Sequence, residues 1–431
     1  MSVHPASRVA LRHKVVALAV SLAALTYLDR VAISVLAPAM MRDFGLTQIQ
    51  MSYVFSAFTL AYALFEVPTA WWADRVGSRR VVTRIVTWWS AFTVLTGAAW
   101  GYFSLIATRF LFGAGEAGAW PNATRVFSRW IPASERGVVQ GIFFAGAHLS
   151  GGLAPFLVTV MSGHFHWRTI FVIFGALGFL WAAWWYRWFR DEPSEHPSIT
   201  HDELQKILSE RALLARHGGT GSRWTIIFRS RSVFLLCLMY IANCYGFYFL
   251  ITWLPTYLGK ARGFSSMELG LFAGLPLTLS VFGDIFGGWT TDVLTKRFGL
   301  RFGRASVGVG AYFVAGVAMV GAAGVEGARI AAVLIAIASA AGMFTLGASW
   351  AACIDIGGRH SAVLSAAMNT SGQIGGILSP IVLAYVVDIF DNWAIPLYVM
   401  AGLYFMASVC WIFIRADRPL EGHSPLPGRA A

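Results

Sequence analysis

The chain has 431 residues, of which 57% are hydrophobic and only 13% charged. Soluble domains carry about 25% charged residues, so this composition excludes an ordinary soluble domain and points to a chain solvated by lipid. The net charge of +12 lies in short basic clusters between apolar stretches rather than in one patch, which argues against nucleic acid as a partner.

Windows of about 20 apolar residues predict twelve membrane-crossing helices. They fall near residues 15–40, 50–73, 81–101, 103–128, 137–161, 168–189, 232–258, 268–293, 304–324, 328–356, 361–388 and 394–414. The runs are continuous and show no ten-residue alternation, so a β-barrel is not expected. The expected fold class is an all-α membrane protein with two six-helix halves. Residues 1–14 form a cytoplasmic N-terminus, 15–189 the first bundle, 190–231 a cytoplasmic linker, 232–414 the second bundle and 415–431 a tail.

In the first helix, residues 15–28 resemble the apolar core of a signal peptide. Asp29 and Arg30 interrupt it and many spans follow, so no cleavable signal is expected. Asp29 and Arg30 point about 100° apart, so they face different partners. Tyr27 lies one turn from Arg30 on nearly the same face. Tyr62 and Glu66 are an i, i+4 pair on the second helix. In the fourth, Arg109 and Glu116 stand alone in a long hydrophobic region. Seven residues are about 20° short of two turns, with a rise of about 10 Å, so both side chains share a face. Ionisable groups inside a membrane cost about 2.5–3.5 kcal/mol each on insertion scales, and by default they mark a substrate or ion pathway. An internal structural ion pair is the competing account.

Gly113-Ala-Gly115-Glu-Ala-Gly118 formally matches G-x-G-x-x-G, but it follows no strand, so dinucleotide binding is rejected. Small residues there suit close helix contact. His148, in the fifth helix, is a candidate substrate or proton contact, with a lone structural histidine as the alternative. In the linker, 199–216 reads as a surface helix with Leu204, Ile207, Leu208 and Leu214 against the membrane interface. Tyr245, Tyr248, Ser349, Trp350, Asn369 and Gln373 are polar or aromatic residues inside spans of the second half, where packing between helices is the rival explanation. Cys237, Cys244, Cys353 and Cys410 have no metal or redox spacing. No motif for ATP, zinc or a nucleophile is present, so an enzyme, a cofactor and a metal site are not expected.

Loops on the N-terminal side of the spans hold 26 of the 33 Lys and Arg residues, which places both termini in the cytoplasm. The two halves echo each other. Ala70-Trp-Trp-Ala-Asp74-Arg75-Val-Gly77-Ser-Arg79-Arg80 follows the second helix. Gly288-Trp-Thr-Thr-Asp292, with Lys296, Arg297 and Arg301 beyond it, follows the eighth. Secondary transporters are commonly built from such repeats.

Ala70–Arg80 resembles the loop motif of the major facilitator superfamily, G-x-x-x-D-[RK]-x-G-x-[RK]-[RK], with Ala70 at its first glycine. Arg109-x-x-x-Gly113-x-Gly115-x-Ala117 resembles that superfamily's fourth-helix motif. More narrowly, Tyr27-Leu-Asp29-Arg30, Arg109-Phe-Leu-Phe-Gly-Ala-Gly-Glu116-Ala, Thr252-Trp-Leu-Pro255-Thr-Tyr-Leu and Met368-Asn369-Thr resemble the anion:cation symporter family of organic-anion transporters. The likeness runs from about residue 15 to 415. Glu66 stands where that family leads one to expect Gln, and Asp284 is an unexpected acid in the eighth helix.

The resemblance implies import of a small organic anion with protons by alternating access, most closely a sugar acid such as a hexuronate, aldonate or aldarate. It makes Asp29 and Glu116 the protonatable carboxylates and Arg30 the grip on the substrate carboxylate, assisted by Tyr27 and Tyr62. Arg109 pairs with the acids and sets their protonation, and Asn369 contacts substrate. Asp74, Arg75, Gly77, Arg79, Arg80 and Asp292 act as cytoplasmic latches. The expected partners are the anion, protons and the lipid bilayer, for a monomer in the inner or plasma membrane. An aromatic acid or dicarboxylate as substrate, a proton-independent uniporter and a ligand sensor are the alternatives.

Overall fold

The computed structural model describes residues 10–132, 135–215, 230–357, 361–418 and 420. Among these residues the regular structure is helical and no strand occurs. The helices α1 (Leu11–Phe44), α2 (Gln48–Val76), α3 (Ser78–Gly97), α4 (Tyr102–Glu116), α5 (Ala119–Trp130), α6 (Arg136–Ser162) and α7 (Trp167–Trp188) come first. A further helix, α8 (His201–Ala215), follows them in the linker. Then come α9 (Arg231–Thr252), α10 (Leu254–Arg262), α11 (Ser266–Gly324), α12 (Ala328–Phe344), α13 (Leu346–Gly357), α14 (Ser361–Phe390) and α15 (Ala394–Phe413).

Eight stretches among the described residues are long and apolar enough to cross a membrane by length and composition alone. α4 continues into α5, α9 into α10 and α12 into α13, while α11 contains two spans joined at Gly299, whose φ of 85° breaks the helix. Counted as columns, these pieces make the expected twelve. The fourth, seventh and tenth columns are broken where the sequence suggested continuous helices. Pro255, in the first turn of α10, has no N–H to extend α9. The tenth column breaks at Thr345, whose hydroxyl donates to the Tyr312 hydroxyl at 2.9 Å.

Two compact units emerge from the contacts. The first comprises Met1–Leu46, Ala57–Ala154 and Val160–Gly218, and the second Thr47–Ser56, Pro155–Thr159 and Gly219–Ala431. The first unit packs α3 against α7 and α4. The second packs α11 against α12 and α15, and α9 against α14. Small residues bring these backbones together, as is usual where lipid removes any hydrophobic drive between helices. A Cβ on Gly287 of α11 would lie 2.0 Å from the Phe344 carbonyl oxygen.

The linker does not lie free below the first unit. Asp191 accepts the Arg79 backbone N–H at 3.0 Å and so caps α3. Glu192 pairs with Arg129 of α5, and His196 sits edge-on to Trp130 and Trp188. Burial, with Arg190 nearby, pushes the His196 imidazole down, and its Nδ1 accepts the Ser198 N–H. On α8, Glu203 takes the backbone N–H groups of Leu11 and Arg12 at 3.0 and 2.9 Å, satisfying the exposed donors of the α1 N-terminus. Lys206 and Arg12 both bind Glu135. Ile207, expected at the membrane interface, is 1% exposed and packs inward. Leu208 is exposed, Leu204 is half-buried, and the Leu214 side chain is outside the described residues.

Candidate functional site

Tyr27, Asp29 and Arg30 are buried in the middle third of α1, 5%, 3% and 8% exposed. Arg30 Nε donates to Glu116 Oε1 at 2.5 Å, and Glu116 has no exposed surface. Glu116 is the last residue of α4. Ala117 is extended, and Gly118 adopts φ 89°, a left-handed conformation that glycine takes without strain, before α5 begins. The carboxylate therefore sits at the negative end of a helix dipole, which works against its charge, and Arg30 supplies the compensation. Removing one member of such a buried pair costs about 3–5 kcal/mol.

Rings pack around the Arg30 guanidinium. Its carbon lies 5.0 Å from the Tyr62 centroid, 5.1 Å from Phe58 and 5.8 Å from Tyr27. Tyr27 in turn meets Trp120 and His148 edge-on at 6.1 and 5.8 Å. Aromatic faces hold a cation with about 0.5–2 kcal/mol each without quenching its charge, so Arg30 stays competent for an anion.

Arg109, 3% exposed, has no carboxylate within salt-bridge distance among the described residues. Its guanidinium rests 4.3 Å from the Phe112 ring and 5.3 Å from Phe58. The expected pairing of Arg109 with the acids thus takes a different form. Arg30 makes the contact with Glu116, and Arg109 makes none with either acid among the described residues. The rise of about 10 Å along α4 explains why Arg109 cannot reach Glu116 directly. Asp29 forms no ion pair among the described residues, and its Oδ1 has no hydrogen-bond partner there. Phe58, which the sequence did not single out, stands between the two arginines. A Cβ on Gly113 would be 2.3 Å from the Phe58 carbonyl oxygen, so this glycine sets the close approach of α4 to α2.

The residues expected as latches divide. The Asp74 side chain lies outside the described residues. Arg75 and Arg80 are exposed. Arg79 donates from Nε and Nη2 to the Tyr186 carbonyl at 2.8 and 2.6 Å and lies over the Tyr186 ring. Gly77 has φ 94°, and a Cβ there would meet the Asp191 carboxylate at 2.6 Å. In the second unit, Asp292 is 3.5 Å from Arg304 Nη1, and Arg304 Nε donates to Asp355 at 3.0 Å. Arg304 lies just past the basic cluster at Lys296, Arg297 and Arg301, and neither it nor Asp355 was picked out from the sequence.

Of the second-unit candidates, Tyr248 donates to Gln373 Oε1 at 3.2 Å, and Trp350 sits edge-on to Tyr240 at 6.5 Å. The Ser349 hydroxyl is taken up by the Thr345 carbonyl, at the break before its helix, at 2.9 Å. Tyr245 is buried and Asn369 half-buried. Among the described residues no three His, Cys, Asp or Glu side chains come together in a way that could hold a metal ion.

Residues 19–380 match the Major Facilitator Superfamily. A probable sulfoacetate transporter of Cupriavidus necator is 32% identical over 420 residues, 94% of each chain. A probable galactarate/D-glucarate transporter of Bacillus subtilis is 33% identical over 382 residues, covering 84% of this chain and 83% of the relative. The hexuronate transporter of Bacillus subtilis is 28% identical over 92% and 93% of the two chains. In fold, the chain is similar to a bacterial homolog of the human lysosomal transporter Spinster in an inward-facing, unoccupied conformation. The TM-score is 0.75 at 20% identity, over 94% of this chain and 98% of that one. The chain belongs to the major facilitator superfamily. It is a membrane-embedded secondary transporter and not an enzyme.

Proposed function

We propose that the protein imports a small organic anion together with protons across the inner or plasma membrane, by alternating access. The observation that carries this reading is the Arg30–Glu116 pair, buried in a transporter helix bundle and walled by Tyr27, Phe58 and Tyr62. A proton on Glu116 removes the charge that holds Arg30, which then takes the substrate carboxylate. Asp29 is the second proton site, with Arg109 tuning both acids. Tyr27, Tyr62 and His148 line the anion's approach to Arg30. In the second unit, Asn369, Tyr245, Trp350, Gln373 and Ser349 stand as further substrate contacts on family resemblance. Asp74, Arg75, Gly77, Arg79, Arg80 and Asp292 serve as latches, and both termini face the cytoplasm.

A sugar acid is the substrate class proposed first, consistent with relatives named for galactarate, D-glucarate and hexuronate transport. One observation favours a doubly charged anion within that reading. Arg109 is a second buried cation with no carboxylate in contact among the described residues, and two acidic ends of one molecule would match two guanidiniums. A short dianion such as sulfoacetate, after which another relative is named, meets the same requirement.

A thermal-shift screen of purified protein against aldarates, hexuronates, sulfoacetate, dicarboxylates and aromatic acids tests the class. Hits then go into proteoliposomes with and without a pH gradient. Accumulation that collapses when the gradient is removed is expected. Uptake indifferent to the gradient would replace the symporter with a uniporter, and binding without any accumulation would replace it with a sensor.

A further inference from the structure

Glu66 is an acid in the first unit that the reading above leaves without a task. It lies on α2, ten residues before the helix ends at Val76, and is half-buried. The expected span runs to about residue 73, about 10 Å of helix beyond Glu66, so the carboxylate lies inside the last third of the span. An acid at that depth is costly and calls for a partner and a function.

Its place on the helix supplies both. Phe58, Tyr62 and Glu66 follow one another at steps of four residues, so their side chains form one inclined stripe. The Arg30 guanidinium lies across the first two rungs, 5.1 Å from the Phe58 centroid and 5.0 Å from Tyr62. Glu66 is the third rung, about 6 Å further along the axis. The rung next to it, Tyr62, is one over which the Arg30 guanidinium lies. One flexible arginine thus holds the fully buried Glu116 and lies over the ring one turn from the half-buried Glu66.

We propose that Glu66 is the internal competitor of the substrate for Arg30, taking over the guanidinium as the substrate carboxylate leaves and so setting the rate of release. This rests on the reading of Arg30 as the substrate grip. In the loaded carrier Glu116 is protonated, and departure of the anion would strand a buried guanidinium. That would make release slow, because a desolvated cation without a counter-charge is far less stable than a paired one. Glu66 removes the penalty. It offers a second carboxylate along a surface of rings over which a cation slides without losing contact. The same competition weakens substrate binding at equilibrium, so the residue exchanges affinity for turnover.

The test uses the full-length protein with sulfoacetate and D-glucarate as probes, measuring Kd by calorimetry in detergent and turnover by counterflow in proteoliposomes. Glu66→Gln removes the competing charge, and about ten- to a hundredfold tighter binding is expected, with counterflow slowed in step. Glu66→Asp, which keeps the charge on a shorter stem, should fall between Gln and the native residue. A misfolded or loosened variant cannot bind more tightly, so the opposed movement of Kd and turnover separates this role from a structural one. Unchanged or weaker binding in Glu66→Gln, with Arg30→Ala losing binding, would overturn the assignment of Glu66 and leave the anion site standing. Arg30→Ala binding like the native protein, or neither probe binding the native protein, would overturn both.

Discussion

At the level of single residues, the two arginines of the first unit are held in different ways. Arg30 is ion-paired with Glu116, whereas Arg109 is surrounded by rings, and Phe58 touches both guanidiniums. Glu116→Gln keeps the shape of the acceptor but cannot release a proton. It should abolish accumulation driven by a pH gradient while counterflow of substrate persists, and gradient-driven accumulation by the variant would remove Glu116 from the proton path. Phe58→Leu takes away the surface between the two cations and about 1–2 kcal/mol of cation–π contact. Substrate binding should weaken about tenfold in calorimetry, with Phe58→Tyr restoring it; loss in both variants would indicate a packing defect instead.

Among elements, the broken fourth column matters most. α4 ends at Glu116 and, past Ala117, Gly118 at φ 89° turns the chain into α5, so the carboxylate is presented at a helix terminus. Gly118→Ala forces a side chain into the left-handed region, at about 1–2 kcal/mol. A melting temperature lowered by a few degrees is expected, with a larger loss of transport, because straightening the column would move Glu116 away from Arg30. Unaltered transport at lowered stability would show that the break is architectural only.

This element also shows how far the chain could be read without coordinates. Apolar run lengths located the helices, since a span must match the bilayer whatever it packs against. The isolated charges at 29, 30, 109 and 116 stood out for the same reason. Their pairing did not, because helical geometry relates residues on one helix and says nothing about which of two cations on different helices an acid meets. Phe58 carried no signal in a chain with 32 phenylalanines. Gly118 did carry one, in the run of small residues from Gly113, but that run reads equally as a packing face. Arg304 and Asp355 are ordinary loop-edge charges until α11 and α13 bring them together.

For the whole molecule, the linker is the part whose place changed most from expectation. Hydrogen bonds from Lys206 and Arg12 hold the Glu135 carboxyl below the ordinary carboxylate range. A depressed native pKa means that this anchor is complete above the unfolded value of about 4.3 and is lost as the pH falls through the lower native one. Hydrogen exchange across α8 should therefore be slow at neutral pH and accelerate at about pH 4 and below. Glu135→Gln should show part of that acceleration already at pH 7, and no change at neutral pH would mean that Glu203 alone anchors the helix.

The cap that Asp191 places on α3 bears on how the gene could be divided. Gly77, the glycine of the signature loop, is the imprint of a carboxylate from beyond the sixth span, and α8 closes the end of the first helix. Two plasmids encoding the halves should restore transport when the break falls at 216–229, after α8. A break at 189 would deprive the amino-terminal fragment of the stoppers for two of its own helices, and that fragment should be degraded before it finds its counterpart.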